Sequence, residues 1–106
     1  KAEEGTDLDE ALTMVQRARQ KMPNSVDILD TLGWIYIKKN LADDAVRTLR
    51  ELNQAEPSRA SFHLHYGMAL LQKGDRPSAR RELESAMKFN PSKDEAGKIR
   101  ELLATL

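Results

Sequence analysis

Cysteine is absent from the sequence, and its absence excludes two classes of small protein. A secreted module held by disulfides needs paired cysteines, and a zinc module built on thiolates needs them as ligands. Cysteine-free chains occur in reducing and in oxidising compartments alike, so a cytoplasmic and a periplasmic location are both allowed. The composition therefore leaves the localisation open.

Long hydrophobic runs and a net charge are also lacking. The chain has 106 residues, of which 17 are basic and 17 acidic, so its formal net charge is +0. A helix that crosses a bilayer needs about 20 successive apolar residues, and we therefore expect no membrane insertion. A general polyanion-binding protein carries a basic excess, so we expect no nucleic acid as a partner. With 40% apolar and 32% charged residues, a chain of this length is predicted to form one helical domain.

What the sequence does contain is a repeat with a spacing of 34 residues. Proline, alanine and glycine recur at this spacing, and a residue that can cap a helix follows each proline. The recurring residues are Pro23, Pro57 and Pro91; Ala11, Ala45 and Ala79; Gly33 and Gly67; and Asn24, Ser58 and Ser92. Because proline cannot continue a helix, each repeat is predicted to end at its proline.

The repeat boundaries predict six helices and one domain. The helices are expected over residues 7–21, 26–39, 42–55, 60–73, 77–89 and 93–104. Residues 1–106 are divided into a disordered lead 1–6, a half repeat 7–25, full repeats 26–59 and 60–92, and a C-terminal capping helix 93–106. Helix starts are marked by Asp75, by Ser92 in a capping box with Glu95, and by Thr6 in a near equivalent. The recurring glycines are expected where paired helices cross closely.

The same residues resemble the tetratricopeptide repeat (TPR) family over about residues 6–92. The family pattern is W-x2-L-G-x2-Y, then A-x3-F, then P. One copy here reads Leu29-x2-Leu32-Gly33-x2-Tyr36, Ala45-x3-Leu49 and Pro57, and another reads His63-x2-Tyr66-Gly67-x2-Leu70, Ala79-x3-Leu83 and Pro91. The resemblance implies an all-α fold, a right-handed TPR superhelix of antiparallel helix pairs. It also implies a non-enzymatic scaffold that binds a protein or peptide and needs no cofactor.

A looser resemblance concerns residues 30–39. This segment is similar to the terminal repeats of large bacterial TPR proteins, including lipoproteins of the PEP-CTERM/exosortase-associated type. That the chain is the C-terminal piece of a longer TPR array is expected on separate grounds, because its last helix resembles a cap whereas its front end lacks one helix of a pair.

The resemblance also implies where a partner would bind, because solenoids bind through their concave surfaces. In TPR proteins the first helix of each pair builds most of that surface. By position, the implied partner-binding residues are Asp27, Asp30, Thr31, Trp34, Lys38, Ser61, His65, Met68 and Gln72, with Ile99 and Leu102 at the far end. Trp34 and Met68 occupy equivalent places one repeat apart and suit an apolar peptide anchor. Alternatively, Trp34 packs on a preceding helix in the intact protein.

Some TPR domains hold a peptide C-terminal carboxylate with Lys, Asn and Arg side chains on this surface. The matching places here carry Asp30, Trp34, Leu64 and Met68, so that clamp is missing. Asp27 and Asp30 would repel a carboxylate and favour a basic or apolar ligand. Alternatively, the two acids complement the dipole at the start of their helix.

The two ends of the predicted array differ. The last helix has one apolar side and an outer polar side, which is typical of a helix that closes a solenoid. At the front end one helix of a pair is missing, and Ile28, Ile35 and part of Trp34 face its place. We expect this uncapped edge to drive self-association into a homo-oligomer. The second interpretation of the chain is therefore a purely structural terminal segment of a long solenoid.

Neither a metal site nor a catalytic site is indicated. His63 and His65 lie two apart on one helix, so they point about 200° apart and cannot chelate one ion. We expect His63 to be partly buried and His65 to be exposed. The basic side of the fifth helix, which includes Arg76, Arg80 and Arg81, is interpreted as a solvated outer face rather than a polyanion site.

Overall fold

The computed structural model describes residues 2–106, with side chains from residue 7 onward. The regular structure in this part of the chain consists of six α-helices and contains no strand. The helices are α1 (Ala2–Lys21), α2 (Val26–Lys38), α3 (Ala42–Ala55), α4 (Ala60–Lys73), α5 (Arg76–Lys88) and α6 (Lys93–Ala104). The predicted all-α architecture is therefore confirmed, and helices α3, α4 and α6 have the predicted bounds.

Helix α1 departs from the prediction at its start. It begins at Ala2, so residues 2–6 of the expected disordered lead are helical and Thr6 does not mark a helix start. Alanine and glutamate at positions 2–4 favour helix, and acidic residues near a helix start suit its dipole. Lys1 lies outside the described residues.

Two tight turns join the antiparallel pairs, and they are one repeat apart. Asn40, between α2 and α3, has φ 64°, and Gly74, between α4 and α5, has φ 96°. At each turn the following N–H donates back into the preceding helix, from Leu41 to the Tyr36 carbonyl at 2.9 Å and from Asp75 to the Leu70 carbonyl at 2.9 Å. This left-handed ending satisfies carbonyls that the helix leaves open.

Among the helix starts that the structure describes on both sides, three have side-chain caps. The Asp75 carboxylate accepts from the Ser78 N–H, and Ser92 and Glu95 form the predicted capping box. The other predicted caps are wrong: Ser25 and not Asn24 caps α2, and Arg59 takes the place expected for Ser58 without a side-chain hydrogen bond. The reason is register, because α2 and α4 begin one residue later in the repeat than α6 does.

The core consists of two clusters that follow one another along the chain. The first is formed by Leu29, Ala45, Val46, Leu49, Leu52, Phe62, Ala69, Leu70 and Ala79. The second is formed by Leu64, Leu83, Ala86 and Ile99. Leu71 of α4 packs against both clusters, so α4 links the two halves of the core.

The recurring glycines lie at close helix crossings, as predicted. A Cβ on Gly33 would lie 2.4 Å from Cδ2 of Leu49, and one on Gly67 would lie 2.9 Å from Cδ2 of Leu83. Both leucines are fully buried. A side chain at either glycine would therefore push α2 from α3, or α4 from α5.

The contacts between helices show which side of the array is the inner side. Helix α2 contacts α4, and α4 contacts α6, whereas within the described residues α3 and α5 make no comparable contact with each other. The layer of α2, α4 and α6 is therefore tighter than the layer of α1, α3 and α5. Exposed side chains of α2 and α4 consequently share the inner surface. Within the described residues, no helix has the length and the hydropathy that crossing a membrane requires.

Candidate functional site

The inner surface of α2 and α4 brings part of the predicted set together in one polar and aromatic cluster. The ring centroids of Trp34 and His65 lie 5.1 Å apart at an interplanar angle of 39°. The amino group of Lys38 lies 5.0 Å above the Trp34 ring, a distance at which a cation interacts with an aromatic face. We call Asp30, Trp34, Lys38 and His65 the Trp34 cluster.

His65 is held in the cluster by Asp30. Its Nδ1 lies 2.7 Å from Oδ1 of the Asp30 carboxylate, and the two side chains are 23% and 25% exposed. The expectation that His65 is exposed is therefore wrong, because a carboxylate on the neighbouring helix draws the ring into the surface. A carboxylate oxygen accepts, so Nδ1–H donates and Nε2 is the nitrogen left for a ligand. The Asp30 carboxylate, which was predicted to act on a ligand, is therefore already paired with His65.

The other residues predicted for this surface do not join the Trp34 cluster. Nε2 of Gln72 donates to the Ile37 carbonyl at 3.0 Å, which ties α4 to the end of α2. Met68 is half-buried against the second core cluster. Asp27 and Thr31 are exposed and Ser61 is half-buried, and none of the three joins the Trp34 cluster.

The far end of the surface differs from the expectation. Ile99 is fully buried in the second core cluster and so cannot line a groove. Leu102 is half-buried and packs against the same cluster. Both side chains point into the core because α6 packs over Leu64 and Leu83.

We call the surface formed by α1 and α2 the front edge. It contains a cavity and is not an open apolar face. A cavity of about 460 Å³ is lined by Asp7, Leu8, Ala11, Trp34, Ile35 and Lys38. Ile35 is only 7% exposed and Ile28 is half-buried, so the expected exposure of Ile35 is wrong. The physical reason is that α1 is long enough to place Leu8 and Ala11 beside this part of α2.

His63 belongs to a different part of the molecule. Its Nδ1 lies 2.8 Å from Oε1 of Glu82, its Nε2 lies 2.6 Å from the Pro57 carbonyl, and its ring stacks on Phe89 at 5.2 Å. The prediction that His63 is partly buried is confirmed. The two histidines have different partners, and no group of three or more metal-binding side chains occurs within residues 7–106.

Two carboxyls with shifted pKa values lie outside the Trp34 cluster. The Lys73 amino group, which donates to Asp43 at 2.7 Å, lowers the pKa of that carboxyl through the hydrogen bond and its charge. Hydrogen bonds from Ser78 lower the pKa of Asp75. Both shifts have structural causes, since Lys73 joins α4 to α3 and Ser78 belongs to the cap of α5.

Sequence reasoning missed the pairing of Asp30 with His65. The two residues are 35 positions apart, which is one repeat plus one residue. In a helical repeat this offset places two side chains across neighbouring first helices, so the signal was present in the spacing. What the spacing does not give is the rotamer that brings the two groups within hydrogen-bonding distance.

The sequence was compared with models of known protein families. The sequence model of the tetratricopeptide repeat family matches residues 2–63, more than half of the chain. No curated protein sequence matches the chain significantly.

Solved structures are similar in fold at low sequence identity. The type III secretion translocator chaperone SycD of Yersinia enterocolitica, in its alternative dimer, superposes with a TM-score of 0.87 at 19% identity, over 96% of this chain and 80% of SycD. A second SycD structure gives a TM-score of 0.87 at 18% identity, over 97% of this chain and 80% of SycD. MamA MSR-1 C2 gives a TM-score of 0.78 at 22% identity, over 93% of this chain and 55% of MamA. Together with the repeat geometry, the family match shows that this chain belongs to the tetratricopeptide repeat family.

Proposed function

We propose that the chain is a non-enzymatic protein-interaction module that binds a peptide or helix of a partner protein on the inner surface of α2 and α4. The observation that carries this proposal is the Trp34 cluster. A large aromatic side chain is held half-buried at the surface by Lys38 and His65 on the curved side of the solenoid. Tryptophan in such a setting is the residue type that most often anchors an interface.

The chemistry of the surface favours an apolar or basic ligand. Trp34 offers an apolar anchor, and Met68 lies at the equivalent place one repeat further on. Asp27 is exposed at the start of α2 and would repel a carboxylate, whereas Asp30 is engaged by His65. The fold shared with SycD, which is described as a translocator chaperone, is consistent with a protein partner.

The proposal is tested with peptides selected from a displayed random library on the unmodified chain. Affinity for a selected peptide is then measured for Trp34→Ala and for Phe89→Ala, an aromatic truncation outside the inner surface. We expect Trp34→Ala to cost about 2 kcal/mol, more than tenfold in Kd, because a central tryptophan anchor is lost. Phe89→Ala is expected to leave the affinity unchanged, and circular dichroism is expected to show full helicity for both variants.

The second candidate is a purely structural role as the terminal segment of a long solenoid that self-associates through its front edge. The residues expected to take part are Ile28, Ile35 and Trp34. The observation that favours it is the cavity of about 460 Å³ between α1 and α2. One repeat further on, Ala45 and Ala69 are completely covered by neighbouring helices, which suggests that another helix fits the corresponding place here. If Trp34→Ala lowers only the melting temperature and leaves peptide affinity intact, this second role is supported.

We also propose that the chain is part of a larger bacterial TPR protein of the PEP-CTERM/exosortase-associated lipoprotein type. The support is the likeness of residues 30–39 to the terminal repeats of such proteins. The reading frame around residue 1 tests it: further repeats upstream and a lipoprotein signal are expected, and an unrelated upstream domain would contradict it.

A further inference from the structure

Three arginines of α5 surround a cavity at the end of the solenoid that is far in sequence from the Trp34 cluster. Arg76, Pro77, Arg80, Arg81 and Leu106 line a cavity of about 390 Å³. The three arginines are exposed, and Arg76 and Arg80 donate to the main-chain oxygens of Thr105 and Leu106 at 2.9 and 3.0 Å. These hydrogen bonds hold two guanidinium groups at the rim of the cavity.

Main-chain oxygens and a hydroxyl, rather than acidic side chains, accept hydrogen bonds from these three arginines. Within residues 7–106, no Asp or Glu side chain forms an ion pair with any of the three arginines. The charge of Arg81 is one of the smaller causes that lower the pKa of Asp75, but the two do not pair. Arg81 instead donates to the Ser78 hydroxyl at 2.9 Å. Three neighbouring arginines therefore lie together on α5 in a chain whose formal net charge is +0.

The repeat supplies an internal comparison. Arg47 of α3 is the residue one repeat before Arg81, and it forms an ion pair with Asp44. Ser78 stands one repeat after Asp44, so the neutralising carboxylate is replaced by a hydroxyl. The places equivalent to Arg76 and Arg80 carry Ala42 and Val46. The helix pair does not need this charge in order to fold, since α3 forms the same structure without it.

We infer that the arginine cavity is a second interaction surface, which binds an acidic segment of a partner protein. Guanidinium groups pair with carboxylates through charge-assisted hydrogen bonds. Pro77 and Leu106 give the cavity an apolar floor that an aliphatic side chain next to the carboxylates can fill. A nucleic acid fits less well, because no aromatic ring lines the cavity on which a base could stack.

The test measures fluorescence anisotropy of a short labelled peptide of glutamate and leucine with the whole chain at low ionic strength. A peptide with glutamine in place of glutamate is the neutral control. We expect the acidic peptide to bind, the neutral peptide not to bind, and added salt to weaken binding. Arg81→Ala is expected to raise the Kd about two- to fivefold, because this factor corresponds to the free energy of one exposed charge pair.

Matched variants separate this surface from the rest of the molecule. Arg47→Ala removes the equivalent arginine and is expected to leave binding unchanged, as is Trp34→Ala on the inner surface. Ser78→Asp restores the neutralising acid and is expected to weaken binding as Arg81→Ala does. The inference is overturned if the neutral peptide binds equally, if Arg47→Ala and Arg81→Ala have the same effect, or if a single-stranded oligonucleotide of equal charge binds more tightly.

Discussion

At the scale of single residues, the helical glycines of this chain differ in what surrounds them. Gly33 is in contact with Leu49, which is fully buried, whereas a Cβ on Gly97 in α6 would meet nothing within 4 Å. The same substitution therefore has opposite consequences at the two places. Alanine at Gly33 would crowd Leu49. Alanine at Gly97 would displace nothing and would lower the backbone entropy of the unfolded chain.

We predict that Gly33→Ala lowers the free energy of unfolding by about 1–3 kcal/mol, because Leu49 cannot move without disturbing the core. Gly97→Ala is predicted to raise it by about 0.5–1 kcal/mol, since alanine is the better helix former and no neighbour is displaced. Urea unfolding followed by circular dichroism measures both values. A Gly33→Ala variant as stable as the original chain would contradict the close crossing.

Side-chain pairing was the hardest feature to predict at this scale. The spacing of 34 residues predicted the crossing glycines correctly, because a repeated small residue has a repeated packing reason. It did not predict that Asp30 would hold His65, nor that Ile35 would be covered. Both depend on neighbours from other helices, and the position of a residue on its own helix says little about such neighbours.

At the scale of the helices, starts and ends are set by short-range chemistry, and the sequence predicted most of them. Ser92 and Glu95 were identified because a capping box has a fixed spacing. Asn24 and Ser58 were misassigned because two adjacent polar residues follow Pro23 and Pro57, and the repeat does not say which of the two is the cap. The start of α1 was misplaced because Thr6 and Asp9 have nearly the pattern of a capping box, although the helix begins at Ala2.

The start of α5 leads to a prediction on pH. Hydrogen bonds from Ser78 lower the pKa of the Asp75 carboxyl below its usual value of 3.8. A carboxyl whose pKa is lower in the folded state stabilises the fold at neutral pH, and this contribution is lost as the pH falls through that lowered pKa. Asp75→Asn keeps a capping side chain that cannot ionise.

Thermal melts of the original chain and of Asp75→Asn between neutral pH and strongly acidic pH measure this contribution. We expect the original chain to have the higher melting temperature at neutral pH, and the difference to shrink as the pH falls below 3.8. A difference that stays constant over the whole range would show that the cap acts without its charge.

At the scale of the whole molecule, the front edge and the curved inner surface are the two regions for which contacts are proposed. In the proposed self-association, a second copy covers the cavity lined by Leu8, Ala11, Trp34 and Ile35. The family and the number of helices followed from the sequence, because a period of 34 residues is a global signal. The shape of this edge did not, because it depends on the length of α1.

We predict that the apparent mass in sedimentation equilibrium rises with protein concentration, because the edge offers partly apolar surface to a second copy. Ile28→Glu is expected to keep the chain monomeric, since it places a charge in that contact. Phe89→Glu, at the end of α5, serves as the matched control and is expected to associate as the original chain does. A strictly monomeric species at high concentration would count against self-association.

The contacts between helices also determine how the chain reaches its structure. In the described part of the chain, every pair of helices in contact is adjacent in the sequence or separated by a single helix. The loops that must close during folding are therefore short, and chains of such low contact order fold on the order of microseconds to milliseconds. Each helix pair can also be completed as it leaves the ribosome, before the next pair has been synthesised. A newly made copy would therefore expose its core residues only briefly.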